Sequence, residues 1–460
     1  MTRACGAVAA TLAVGFAAYA GLHILEPRLT LTWSYAHLHR RPWLPRIAVA
    51  LLLAGPPLAA LAWRQPTRAA PLRRFTPLQV AGLVALAVVV DAVVGLRFPA
   101  WPISIDPWQL LKNVAQASNT NARWHLTLAT YDLLSRWFLG RLGPATIIRS
   151  FSSVTSAIGL VALTGSARRL ATTRGEAVAI ALLVWTAFGT IQLAIGYLDV
   201  YPVALAVTGL FVWTALGTLQ GDVHPLWPLT IAALGPFWYE GLVLLGPATV
   251  VVGIVALRRP GGVRRVAVGL ATALFVAGLA TVPRFGRPFA WLTFLDAVES
   301  ASDAALGLSP TSVMLPGWAM FSGWHARDVA HTIVLVDFVG VLLTVVAGTW
   351  CVVTGPWRRS WDATVVFLVA LVVPQLLFLF VMDPLWGAFA DWDLFCWGAA
   401  TTSLLGAYAF VLWGRECPRL FPLVLGLAIA AAGVHLLARL NALEVDLKAH
   451  LVESPYHVQF

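Results

Sequence analysis

Long uninterrupted apolar runs, divided by short polar stretches, organise this chain. A helix needs about 20 apolar residues to cross a bilayer, and the runs at 4–25, 46–63, 77–96, 147–167, 176–196, 199–219, 226–239, 241–257, 264–283, 331–354, 362–382, 393–414 and 420–440 approach or reach that length. They are continuous and rich in Leu, Ala and Val. They do not alternate as the strands of an outer-membrane barrel do. Backbone groups in lipid must bond within their own segment, so helix is the expected form. The pattern therefore predicts an all-α, polytopic transmembrane helix bundle of about thirteen spans. The first run resembles a signal peptide, but its apolar stretch is long and lacks a convincing cleavage site, so it reads as a retained span. Residues 97–145 and 284–330 contain no spanning run and are predicted to hold short amphipathic helices in outer loops.

Basic residues orient the bundle. Arg64, Arg68, Arg73 and Arg74, then Arg168, Arg169 and Arg174, Arg258, Arg259, Arg264 and Arg265, Arg358 and Arg359, and Arg415 and Arg419 fall on one side if the spans alternate. That side is expected to be cytoplasmic, with the N-terminus inside. The loop with Arg28, Arg40, Arg41 and Arg46 conflicts with this. Either it is an exception, which is the favoured reading, or the run broken by Pro56-Pro57 is a re-entrant hairpin. The opposite, extracytoplasmic face receives the 97–145 loop, the turn at 196–202, Phe237-Trp238-Tyr239-Glu240-Gly241, the 284–330 loop and the Asp383–Phe395 stretch. Nearly every acid near a span end therefore lies on that face.

Composition supports the membrane reading. The chain of 460 residues is 59% hydrophobic and only 11% charged, with net charge +10 and mean hydropathy +0.79. In a soluble protein such a charge would raise the question of nucleic acid. Here it reads as arginines anchoring loops to the inner leaflet. Four cysteines, Cys5, Cys351, Cys396 and Cys417, are scattered singly. They imply neither a zinc site nor a disulfide framework.

Acids at the ends of membrane spans are costly and usually functional. Asp106 follows the third run in Ile105-Asp106-Pro107-Trp108. A partly desolvated carboxylate there suits a general base acting on a hydroxyl. Asp before Pro is equally a standard helix start, and the two roles are compatible. Asp199, between Tyr197 and Tyr201, suits a sugar ring, with carboxylate for hydroxyls and aromatic faces for C–H surfaces. The bland reading is interfacial tyrosines and a capping Asp. Glu240, beside three aromatic residues, is either functional or paired with an outer-loop arginine such as Arg123 or Arg284. Asp391 and Asp393, flanking Trp392, suit a sugar or a divalent cation, Mg or Mn, though two carboxylates without a third ligand do not indicate a metal. Asp393 also suits a helix cap. Arg123 with His125, Arg284, and His325 with Arg327 are candidates for a lipid-linked phosphate. No phosphate loop, nucleophile elbow or HExxH is present, so a transferred group would come from the membrane.

The phrases Gly196-Tyr197-Leu198-Asp199-Val200-Tyr201, His331 through Val346, and Ala390-Asp391-Trp392-Asp393-Leu394-Phe395 resemble a family of bacterial polytopic membrane proteins with GY-x-E/D-x-Y and DWDLF motifs. That family is similar to the GT-C class of glycosyltransferases, which use polyprenyl-phosphate-linked sugars. The resemblance covers roughly the third run to Ala442. It implies a GT-C-like core at 76–440, preceded by two additional spans within 1–75 and followed by an outer tail at 441–460. It also implies a bacterial inner-membrane location in the cell envelope, and Asp106 at the position of the acid in the first outer loop of GT-C enzymes. The chain has Ala390 where the family usually has Arg, and Glu240 where it more often has His.

These residues lead to the expectation of a membrane glycosyltransferase moving a sugar from a polyprenyl-phosphate donor to an extracytoplasmic acceptor. Asp106 is the expected base, and Tyr197, Asp199, Tyr201, Glu240, Asp391, Trp392, Asp393 and the basic residues above are the expected substrate contacts. The rival is a transporter or lipid flippase, which would carry ionisable residues near mid-membrane on broken helices. Asp91, Asp337 and Pro374-Gln375 lie inside runs, but no internal repeat accompanies them. An assembly scaffold is a third reading.

Overall fold

The computed structural model describes residues 2–25, 44–62, 125–138, 141–194, 200–282, 321–355, 362–381 and 395–442, with isolated positions between 81 and 89. Among the described residues there is no strand. The helices are α1 (Thr2–Leu25), α2 (Leu44–Ala62), α3 (His125–Trp137), α4 (Pro144–Leu170), α5 (Arg174–Thr186), α6 (Phe188–Ala194), α7 (Tyr201–Gln220), α8 (Leu226–Trp238), α9 (Gly246–Leu257), α10 (Gly262–Ala280), α11 (Gly323–Thr354), α12 (Ala363–Val381), α13 (Cys396–Glu416) and α14 (Phe421–Ala442). A 3-10 turn, Glu240–Leu245, joins α8 to α9.

Every predicted run except 77–96, which lies mostly outside the described residues, carries helix. Eight described helices are long and apolar enough to cross a membrane, or nine if the pair Arg174–Thr186 and Phe188–Ala194, bent by 75°, is one broken span. Three shorter apolar helices, Arg46–Ala60, Leu226–Trp238 and Phe421–His435, fall below that length, and the run 77–96 lies mostly outside the described residues. Pro56 and Pro57 lie inside α2, which continues through them. The run is thus one continuous helix and not two helices joined at the prolines.

Small residues set the closest helix crossings, as expected where lipid offers helices no hydrophobic reason to associate. A Cβ on Gly209 of α7 would lie 2.7 Å from the Gly159 carbonyl of α4. A Cβ on Gly406 of α13 would lie 2.4 Å from the Gly340 carbonyl of α11. The core is Leu, Val and Ala filled in by Trp397, Trp413, Tyr131, Tyr239 and Phe16. Large apolar residues such as Val250, Leu274 and Leu377 are exposed on the outside, as on a bundle surrounded by lipid.

Arginines gather at one end of this bundle. Arg169 reaches Gln220 at 3.0 Å and Asp222 at 3.2 Å, and Arg259 donates to the Thr218 and Leu219 carbonyls. Arg415 grips Glu176 through Nε and Nη2, both at 2.9 Å. Thr172 donates to the same carboxylate through its backbone N–H at 2.7 Å and its hydroxyl at 2.8 Å. Cys5 of α1 and Cys417, just after α13, form a disulfide at this end. The sequence reading expected no disulfide. The two cysteines are 412 residues apart, and only tertiary packing brings them together. Cys351 and Cys396 are buried and take no part in a disulfide.

Candidate functional site

The opposite end of the bundle collects the helix termini that border the acid-rich loops. The Thr127 hydroxyl, in the first turn of α3, donates to the Trp238 carbonyl at 2.8 Å. Tyr201, at the start of α7, meets Tyr239 edge-on with ring centroids 5.3 Å apart. Tyr239 in turn meets Trp397, at the start of α13, at 6.2 Å. Phe395, the last residue of the DWDLF phrase, packs on Phe378 at 5.8 Å. His325, in the first turn of α11, donates from Nε2 to the Phe380 carbonyl at 2.6 Å. Gly241 is required here, because a Cβ would fall 2.4 Å from the Tyr239 ring.

The expected site residues divide accordingly. Asp106, Arg123, Tyr197, Asp199, Arg284, Asp391, Trp392 and Asp393 lie outside the described residues, as does Asp91. His125 opens α3. Tyr201 is buried at 4% exposure, a core ring against Tyr239 rather than an open face for a sugar. Glu240 is half-buried and begins the 3-10 turn. His325 is buried with Nε2 engaged by Phe380, whereas Arg327 is exposed. Tyr201 and the Tyr239–Glu240 corner are thus brought together. The two members of the His325–Arg327 pair sit in different environments.

Beneath this end, near the middle of α11, Asp337 has φ −159° and ψ 57°, and the helix breaks there. Both broken ends are supplied with partners. Asp337 Oδ1 accepts from the Gly340 N–H at 3.0 Å, the bond of an N-cap to the third residue of a new helix. It also accepts from the Ser403 hydroxyl of α13 at 2.8 Å. On the other side of the break, the Tyr19 hydroxyl donates to the Val334 carbonyl at 3.2 Å, and His435 Nε2 donates to the Leu335 carbonyl at 3.0 Å. Tyr19 also meets His435 Nδ1 and stacks on Phe338 with centroids 4.0 Å apart. A break deep in an apolar span is tolerated only when its freed backbone groups are met in this way.

Two cavities flank the break. The larger, about 40 Å³, is lined by Asp337, Gln375, Trp397, Thr402, Leu376 and Phe395 among others. By volume it has room for about three waters. The smaller, about 10 Å³, lies beside Tyr19, Phe188 and His435, with Asp337 again on its wall. Three buried polar atoms of residues lining the larger cavity have no hydrogen-bond partner among the described residues: Asp337 Oδ2, Gln375 Nε2 and Trp397 Nε1. The Gln375 amide is oriented by Thr401, whose hydroxyl donates to Oε1. Buried polar groups are satisfied in the great majority of cases, so three unmet atoms on residues of one cavity wall are unusual. Among the described residues no cluster of three or more His, Cys, Asp or Glu side chains could hold a metal ion.

Asp337 and Gln375 stand out in the sequence as polar residues inside apolar runs. Nothing in sequence spacing picks out Trp397 or Ser403, because their roles arise where α13 crosses α11. These features define a multi-pass helical membrane protein with a mostly apolar cavity beside a broken span. No family model matches the chain, and comparison with curated proteins and with solved structures likewise returns no match.

Proposed function

We propose that the chain is an integral membrane glycosyltransferase that moves a sugar from a polyprenyl-phosphate donor to an acceptor outside the cytoplasm. Asp106 acts as general base on the acceptor hydroxyl, and basic residues of the outer loops hold the leaving phosphate. The arginine end of the bundle faces the cytoplasm of a bacterial inner membrane. One observation carries the reading. Helix ends that border the acid-rich loops meet at one end of the bundle, through Tyr201, Tyr239 and Trp397, while the arginine clusters lie at the other. Neighbouring helix ends support a shared site on that face, where nucleotide sugars are unavailable and lipid-linked donors are present.

The test is transfer from a panel of radiolabelled polyprenyl-phosphate sugars by the purified protein in native-lipid nanodiscs. One donor is expected to be consumed, and Asp106→Asn is expected to lower turnover by roughly 10²- to 10⁴-fold, the usual contribution of general-base catalysis. Turnover by Asp106→Asn at the parental rate would refute the base assignment. Failure to consume any donor counts against the glycosyltransferase reading.

The broken span supports a second reading, a transporter or lipid flippase. An ionisable residue at a mid-membrane helix break is a recurrent feature of transport sites, and Asp337 is one. Solute or lipid movement in proteoliposomes that depends on Asp337, without sugar transfer, favours this reading over the first.

A further inference from the structure

The hairpin of α9 and α10 carries four arginines at its tip, Arg258, Arg259, Arg264 and Arg265, and no Asp or Glu occurs between Glu240 and Asp296. One of the four is turned inward. Arg259 donates to the Thr218 and Leu219 carbonyls at the end of α7, and a Cβ on Gly221 would lie 3.3 Å from its Nη1. That contact seats the tip against the bundle. Arg258, Arg264 and Arg265 are exposed, and none of the three makes an ion pair among the described residues. Asp222, in the turn after α7, is held by Arg169 at 3.2 Å. The tip is therefore a concentrated positive patch with no acid of its own.

Below the tip the stems of the hairpin are apolar on their outer side. Val250, Ile254 and Leu257 of α9 and Val263, Leu270 and Leu274 of α10 are 45% to 71% exposed. Trp227, at the start of α8, is 58% exposed. It lies alongside α10, since a Cβ on Gly269 would fall 3.3 Å from Leu226 Cα. An exposed tryptophan at the end of a span marks the headgroup level of a bilayer. A soluble acidic partner would match the arginines and leave the stems uncovered. An uncharged lipid would match the stems and leave the arginines without a counter-charge. An anionic phospholipid matches both.

We infer that the α9–α10 hairpin is a binding site for an anionic phospholipid, whose phosphate sits among Arg258, Arg264 and Arg265 and whose acyl chains lie along the stems. This is a seat at one hairpin, distinct from the general attraction of basic loops to an anionic leaflet. It is independent of whether sugar transfer occurs.

The experiment titrates the full chain in detergent with phosphatidylglycerol or with phosphatidylcholine of the same acyl chains, and native mass spectrometry counts the bound lipids. The first phosphatidylglycerol is expected to bind roughly tenfold or more tighter than phosphatidylcholine, from about fivefold per arginine near an anionic headgroup. Arg264→Gln combined with Arg265→Gln is expected to weaken phosphatidylglycerol binding roughly 20-fold on the same scale, with a melting temperature near the parental value. Arg174→Gln combined with Arg419→Gln removes the same charge from exposed positions at the same end and is expected to leave binding nearly unchanged. Glycerol phosphate, which carries the headgroup without the chains, is expected not to displace the lipid. Should the Arg264 and Arg265 double variant fold poorly, Arg258→Gln is expected to weaken binding about fivefold. Equal binding of the two lipids overturns the inference, as does an equal loss in the two double variants, which would show general charge attraction. Displacement by glycerol phosphate at equal concentration overturns it in favour of a free-phosphate site. Binding unchanged in a folded Arg264 and Arg265 double variant, or in Arg258→Gln where the double variant fails to fold, overturns it as well.

Discussion

The Ser403 hydroxyl of α13 donates to Asp337 Oδ1 at 2.8 Å, and this bond ties the broken half of α11 to its neighbour. The carboxylate oxygen that Ser403 meets also caps Gly340. Both bonds are buried, so water cannot replace either one. Ser403→Ala is expected to cost about 1–3 kcal/mol, the range for leaving a buried polar group short of a hydrogen bond. Asp337→Ala should cost more, since it removes the helix cap and strands the Ser403 hydroxyl as well. The double variant should be less destabilised than the sum of the single variants, with a coupling of about 0.5–3 kcal/mol. Unfolding in mixed micelles with increasing SDS measures all three. Additive costs would show that the two side chains do not act together.

Much of this architecture is legible along the chain. Apolar runs of the right length became helices wherever they are described, and the described arginines at 168–174, 258–265 and 415–419 lie at one end, as alternating spans require. The break at Asp337 is of another kind. The run 331–354 is apolar and long enough for one continuous span. Only its partners, Ser403 on α13, Tyr19 on α1 and His435 on α14, make a broken helix affordable there. Those contacts join residues 66 to 315 positions apart, beyond the reach of any local pattern. The same holds for Tyr201. Its place in a polar turn suggests an open aromatic face, yet Tyr239 arrives from a separate segment and buries it.

The Gly340–Gly406 crossing sets how closely α11 approaches α13. A Cβ at 406 would sit 2.4 Å from a backbone carbonyl, 2.9 Å from Thr344 Oγ1 and 3.0 Å from Leu343. Backbone cannot move aside as the tip of a flexible side chain can. Gly406→Ala is therefore expected to push the helices apart and destabilise by about 1–3 kcal/mol, the cost of overpacking. Gly253→Ala on α9, where nothing lies within 4 Å of the added Cβ, is the control and should be neutral or slightly stabilising. Equal melting temperatures for the two variants would contradict the tight crossing.

At the arginine end, the Glu176–Arg415 pair joins α5 to α13 with a fork that lysine cannot reproduce. Arg415 uses Nε and Nη2 on the two carboxylate oxygens, and Glu176 is nearly buried, with 9% of its side chain exposed. Arg415→Lys keeps the charge but loses the bidentate geometry. It is expected to cost about 1 kcal/mol or more, and Arg415→Ala about 1.5–3 kcal/mol. The contrast is Arg136–Asp132, an i, i+4 pair on α3 whose arginine side chain is 70% exposed. Breaking that pair should cost about 0.5 kcal/mol or less, and less still in high salt. Thermal melts at low and high ionic strength separate the two cases, and a similar loss at both sites would refute the ranking.

The Cys5–Cys417 pair offers a test of orientation that needs no substrate. The bridge lies at the same end as the arginine clusters, which the distribution of basic loops assigns to the cytoplasm. Thiols there are kept reduced, while disulfides persist on the outer side of the membrane. If the arginine end faces the cytoplasm, both cysteines should react with a maleimide mass tag when growing cells are quenched in acid, and should become protected only after the membranes are isolated in air. Oxidation of the purified protein should then raise its stability by about 2–4 kcal/mol, the usual effect of a cross-link between distant segments, and Cys417→Ser should abolish that gain. Full protection of both cysteines in quenched cells would place the arginine end outside. The acid-rich loops would then face the cytoplasm, and the proposed transfer to an extracytoplasmic acceptor would fail with them.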